Sequence, residues 1–171
     1  MTEITLQQLL ESRDDRAQYQ RELLAGYNLP LVSFTVNMPG TVKQNRESRI
    51  IFSAGVYAIR EKLAGHVMSV KTREKPTGYE AFFAVEMPPL QIKEKMCRLE
   101  EEHPLGRLFD IDVLQLDGSQ ISRQQLQLPP RKCLLCDGDG AACARSRAHS
   151  IEQLLDRIRQ MVQDWTAQQS K

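Results

Sequence analysis

The chain has 171 residues, 41% of them hydrophobic, which is enough for one sizeable core and too little to require two, so a single domain spanning 1–171 is expected. Its 23 Lys plus Arg against 22 Asp plus Glu leave a net charge of +1, which excludes a global field that would draw it to nucleic acid or an anionic membrane. The start MTEITLQQLLESRDD lacks a basic and apolar leader, and no stretch reaches the ~18 apolar residues of a membrane span, so a cytoplasmic protein is expected.

Leu6, Leu9, Leu10, Ala17, Leu23 and Leu24 recur near the helical period, predicting an amphipathic helix over about 5–24 that Gly26 and Asn28 close. LVSFTV at 31–36 is rich in β-branched residues and is stopped by Pro39-Gly40, so it reads as a strand, with a second helix to follow over about 44–63. The segments 67–73 and 79–86 are rich in β-formers, and Lys75-Pro76-Thr77-Gly78 between them supplies turn chemistry, predicting an antiparallel hairpin. After Pro88-Pro89 a short helical pattern covers 90–99, and the His103-Pro104-Leu105-Gly106 loop leads into RLFDIDVLQL, the strongest strand of the chain. Asp117-Gly118 is a turn, 120–128 is polar and ambiguous, a Cys/His-rich segment occupies 131–149, and a last helix is predicted at about 150–166. This order predicts an α+β domain with a mainly antiparallel sheet covered by helices on one face.

Side chains two apart on a strand share a face, so Asp110 and Asp112 project together, away from Phe109, Ile111 and Val113. The apolar flanks predict an inner strand, where two neighbouring acids repel and lose hydration unless a cation compensates. Magnesium is the natural compensator, being held by one or two carboxylates and completed by substrate phosphates. The competing reading puts both aspartates at an exposed strand end, paired with Arg or Lys. Arg107 lies just ahead as a planar cation for phosphate, after Gly106, which permits close backbone approach.

Asn37 to Lys43 joins a strand to a helix, so backbone N–H groups around Asn37 and Gly40, with Lys43, form a candidate phosphate site or an ordinary Pro-Gly turn. Glu80 is a candidate third carboxylate for the metal if its strand neighbours the aspartates. Cys133, Cys136, Cys143 and His149 have the spacing of a structural zinc site, against the alternative of thiols packed as small hydrophobes. His103 is a candidate phosphate ligand or acid–base group, with a structural hydrogen bond as the default for it and for His66.

N-M-P-G-T-V-K at 37–43, H-P-L-G-R-L-F-D-I-D-V at 103–113, and R-K-C-L-L-C at 131–136 with Cys143 and His149 together resemble the holo-citrate lyase synthase family, also called apo-citrate lyase phosphoribosyl-dephospho-CoA transferase. The resemblance implies transfer of the 2'-(5''-triphosphoribosyl)-3'-dephospho-CoA group to a serine of the citrate lyase acyl carrier subunit, with release of pyrophosphate. D-I-D also resembles the metal motif of polymerase-β-like nucleotidyltransferases, although Gly106-Arg107 stands where those carry a Gly-Ser pair and a helix turn. Two other functions fit the same residues: a zinc-stabilised protein-binding module, and a metal-dependent phosphohydrolase that delivers its substrate to water.

Overall fold

The computed structural model describes residues 2–169. Helix α1 (Leu6–Tyr27) opens on a capping box, in which Thr5 Oγ1 accepts from the Gln8 N–H and the Gln8 side chain accepts from the Thr5 N–H. It runs through Gly26 and stops at Asn28, whose left-handed backbone (φ 52) turns the chain into β1 (Leu31–Val36). Then come α2 (Arg46–Lys62), the hairpin of β2 (Val67–Lys75) and β3 (Gly78–Val85), α3 (Pro89–Glu102), β4 (Phe109–Leu114), the short α4 (Gly140–Ser146) and α5 (Ile151–Gln169). Helix α4 falls in the segment read from sequence only as Cys/His-rich.

The four strands form one antiparallel sheet in the order β2-β3-β1-β4. Period-two alternation sends Val32, Phe34, Ala81, Phe83, Phe109, Ile111 and Val113 to one face, where Ile51 and Ile59 of α2, Ile92 and Met96 of α3 and Ile158 and Val162 of α5 complete the main core. Gly55 lets α2 come close: a Cβ there would lie 2.2 Å from Phe34 Cζ.

The expectation of a sheet covered on one face is corrected by α1, which lays Tyr19, Leu23 and Leu24 against Leu31, Phe82 and Leu114 on the opposite face. Only the C-terminal half of α1 buries apolar residues this way, and Leu6 and Leu10 remain exposed. Beneath its N-terminal half the second sheet face carries charged groups instead.

β4 is an edge strand, which corrects the expectation of an inner one. Its free edge is closed by α3: buried Lys93 donates Nζ to the Ile111 carbonyl (3.1 Å), and buried Glu100 accepts the Ile111 N–H through Oε1 (3.3 Å). The two lie seven residues apart, two turns along one face of α3, and spare Ile111 the cost of unpaired buried backbone groups. Gly106 belongs to the same packing, since a Cβ there would sit 2.4 Å from the Glu100 carbonyl oxygen. The close approach Gly106 permits is thus to the end of α3.

Candidate active site

Strand register sets a polar row across the second sheet face: Arg73 lies opposite Glu80, Glu80 opposite Thr35, and Thr35 opposite Asp110, with Asp112 opposite Ser33 one step along. Asp110 is 55% exposed in its side chain and accepts a hydrogen bond from Thr35 Oγ1 at 3.2 Å. Asp112 is half-buried; burial first, and then the charge of Asp110, push its carboxyl above its ordinary pKa. Among the described residues no ion pair reaches Asp112, and the cation nearest Asp110 is Arg131, with Nη1 4.0 Å from Oδ1. Asp110 is thus exposed on an edge strand and faces an arginine, as the competing reading has it, while at Asp112 the charges of Lys93 and Arg16 do not outweigh burial and Asp110, so a divalent cation would stabilise the pair further.

Glu80 is occupied differently. Its carboxylate accepts from Arg73 (2.6 and 3.0 Å) and pairs with Arg16 (3.4 Å), and the Arg73 guanidinium lies 4.2 Å from the Tyr19 ring centroid. A metal would have to displace two guanidinium groups to use it.

Two clefts meet beside Asp110. The larger, about 810 Å³, is lined by the cations Lys43, Arg107, Arg123, Arg131, Lys132 and Arg147, with Asp139 the only carboxylate among its described lining residues. Arg123 is held by Glu100 and Glu101 (both 2.9 Å), and Arg131 donates Nη2 to the carbonyl of Arg107 (3.0 Å) while Glu100 sits 3.7 Å from its Nη1. Arg107, Lys132 and Arg147 make no ion pair among the described residues. Burial first, then the charges of Arg131 and Arg123, lower the pKa of Arg107, although an arginine stays charged. Crowded cations of this kind are stabilised by a polyanion. The smaller cleft, about 140 Å³, is lined by Ser12, Arg13, Arg16, Thr35, Thr77, Glu80 and Asp110 among others, and it shares Asn37, Met38 and Lys43 with the larger one.

The sequence-predicted phosphate residues are brought together only in part. Asn37, Lys43 and Arg107 line the larger cleft; Gly40 lines neither cleft and packs towards Ile151 of α5 (3.3 Å from its Cβ position). Lys43 is turned back on its own loop, donating Nζ to the Met38 carbonyl. The start of α2 is no free anion site, because Asn45 and Ser48 form a capping box there. His103 is away from both clefts: its ring packs between Phe109 (4.9 Å) and Trp165 (4.8 Å), and Nδ1 accepts the Leu105 N–H (3.0 Å). His66 makes a structural bond from Nδ1 to the Glu86 carbonyl (3.1 Å). Sequence reasoning assigned no phosphate role to Arg123, Arg131 and Arg147: Arg131 entered only as the first residue of R-K-C-L-L-C, and no periodic pattern marks the other two.

Cys133, Cys136, Cys143 and His149 do converge, their ligand atoms all within 4.8 Å of one another. Cys136 and Cys143 have sulfurs 3.5 Å apart, too far for a disulfide and near the roughly 3.8 Å set by tetrahedral Zn–S bonds of about 2.3 Å. Burial works to raise the Cys133 thiol, but the N–H groups of Leu135 and Cys136 and bonds from Cys136 and Cys143 outweigh it and bring it to about 6. Nε2 of His149 is buried with no hydrogen-bond partner among the described residues, which suits an imidazole nitrogen that serves as a metal ligand. The turn that presents these residues is closed by Cys133 N–H to Gly138 O (2.7 Å) and Gly140 N–H to Arg131 O (2.9 Å). The four residues fit a structural metal, and Cys133, Cys143 and His149 also line the larger cleft.

The profile of the family described as apo-citrate lyase phosphoribosyl-dephospho-CoA transferase matches residues 4–165. The chain belongs to that family. A probable apo-citrate lyase phosphoribosyl-dephospho-CoA transferase of Vibrio cholerae serotype O1 (strain M66-2) is 46% identical over 167 residues, covering 95% of this chain and 94% of the relative. The apo-citrate lyase phosphoribosyl-dephospho-CoA transferase of Citrobacter koseri is 40% identical over 164 residues, 94% of this chain and 90% of the relative. That of Escherichia coli O7:K1 (strain IAI39 / ExPEC) is 38% identical over the same coverage. For this apo-citrate lyase phosphoribosyl-dephospho-CoA transferase family member, both clefts, the aspartate pair and the Cys/His cluster lie within the matched span. Among the described residues no helix is long and apolar enough to cross a membrane.

Proposed function

We propose that this chain transfers the 2'-(5''-triphosphoribosyl)-3'-dephospho-CoA group to a serine of the citrate lyase acyl carrier subunit, forming a phosphodiester and releasing pyrophosphate. The observation that carries the reading from geometry is the Asp110/Asp112 pair on one sheet face, with Asp112 making no ion pair among the described residues, bordered through Arg131 by a cleft of about 810 Å³ rich in arginine and lysine. That volume suits a cofactor-sized ligand, and the cations suit its phosphates. Family membership over 4–165 supports the substrate pair.

Asp110 and Asp112 would hold magnesium, which when bound neutralises charge on the attacked phosphorus and the departing pyrophosphate. Arg107 is placed to grip two phosphate oxygens with one planar fork, and Lys43 stands where the two clefts meet as a point charge. Arg131, 4.0 Å from Asp110 and held by the Arg107 and Gly106 carbonyls, adds positive charge at the same border. Cys133, Cys136, Cys143 and His149 hold zinc as a structural ion that keeps one wall of the cleft in place.

The competing phosphohydrolase shares the aspartates and differs in the acceptor. Purified protein, magnesium and donor are incubated with and without apo carrier subunit while pyrophosphate release and the carrier mass are followed. Pyrophosphate that appears only with the carrier, together with a mass gain on it, is the expected result. Release that ignores the carrier means hydrolysis, and neither release nor mass gain favours a protein-binding module.

A further inference from the structure

Resting on that transfer reaction, we propose that the two clefts divide the two substrates: the cationic cleft takes the donor, and the smaller cleft beside Asp110 receives the serine-bearing segment of an acidic acceptor protein, docked by Arg13.

Size makes the first separation. The smaller cleft, at about 140 Å³, equals a few water volumes of roughly 30 Å³ each and seats one short side chain, whereas of the two the 810 Å³ cleft is the one large enough for a phosphorylated nucleotide. Position makes the second. Asp110 lines the smaller cleft alone, Asn37, Met38 and Lys43 line both, and Arg131 reaches from the larger to within 4.0 Å of Asp110. A phosphorus held at this border is open to a nucleophile from one cleft while its leaving group lies in the other, as in-line displacement requires.

The walls of the smaller cleft suit a hydroxyl. Ser12, Thr35 and Thr77 line it with Asp110, and the 2.7 Å bond between Ser12 Oγ and Thr77 Oγ1 ties α1 to the β2–β3 turn at its mouth. Arg13 is exposed there and makes no ion pair among the described residues. Lys43 lies below its ordinary pKa through burial and then through the charge of Arg13, a crowding of like charges that carboxylates on an incoming protein relieve. In the step itself the serine Oγ–P bond forms as the P–O bond to pyrophosphate breaks, and the hydroxyl proton passes to water at the open mouth of the cleft.

The test is steady-state transfer with labelled donor and purified apo carrier subunit, varying each substrate in turn. Arg13→Glu raises KM for the carrier by about tenfold and leaves KM for the donor unchanged, while Arg147→Glu in the larger cleft does the reverse. Added salt raises the carrier KM of the wild type more steeply than that of Arg13→Glu. An Arg13→Glu variant that raises donor KM, or leaves carrier KM untouched, overturns the division of substrates. A wild type that labels no carrier overturns the transferase reading and the acceptor cleft with it.

Discussion

The imidazole of His103 sits between two aromatic rings with its Nδ1 fixed as an acceptor for the Leu105 N–H, so the neutral ring is the form the fold uses. Burial lowers its pKa below the ordinary value, and the folded protein therefore binds fewer protons at this ring than the unfolded chain does. Stability from this source is complete above the unfolded value of about 6.5 and is lost as pH falls from there through the lower folded value. Urea midpoints of the wild type should fall between about pH 7 and about pH 5.5, and His103→Asn should be less stable at neutral pH but flatter across that range. An equal slope in the variant would mean that another group sets the dependence. Asp112 shows the same physics with the opposite sign: burial first, and then the charge of Asp110, raise its carboxyl, and the charges of Lys93 and Arg16 do not outweigh them.

At the level of elements, β4 stays in place because α3 supplies the partners that a fifth strand would have given. Glu100 serves three groups at once, the Ile111 N–H, Arg123 and Arg131, from a side chain only 4% exposed. Glu100→Ala leaves the Ile111 N–H without its acceptor and two cations without their counterion, and should cost about 3–5 kcal/mol in denaturant unfolding. Glu100→Gln, whose amide oxygen still accepts, should cost less, and a loss below about 1 kcal/mol in the alanine variant would contradict the edge-capping role. The segment 131–149 depends on something else, for seven-residue α4 is too short to hold itself and none of its residues is buried. Purified protein should contain one zinc equivalent, and a chelator should raise hydrogen exchange across 131–149 while the sheet stays protected. Metal-free protein with an already protected segment would contradict this. His149→Ala should lower the zinc content without disturbing the strands.

For the molecule as a whole, what was legible in the sequence follows from periodicity. The alternation of FDIDV separated the aspartates from the core, and the hairpin and the main helices declared themselves through turns and apolar spacing. Strand order was not legible: apolar residues on both sides of β4 read as an inner strand, while Lys93 and Glu100 look like solvent-facing residues of a helix until they are found on its edge. Nor was the second covered face, since Leu23 and Leu24 read as part of one stripe with Leu6 and Leu10, which the fold leaves exposed. The metal-like cluster was legible because ligand type and spacing carry the chemistry, whereas the place of Arg131 beside Asp110 emerges only on folding. In the proposed reaction Asp110 and Asp112 hold the cation at the border of a cationic cleft, and transfer to the carrier depends on both. The most direct test is label transfer from donor to purified apo carrier in magnesium, comparing wild type with Asp110→Ala and Asp112→Ala after circular dichroism shows all three folded. The expected result is a labelled carrier from the wild type and a loss of roughly a hundredfold or more in each variant; undiminished label in both variants would overturn the aspartate metal site.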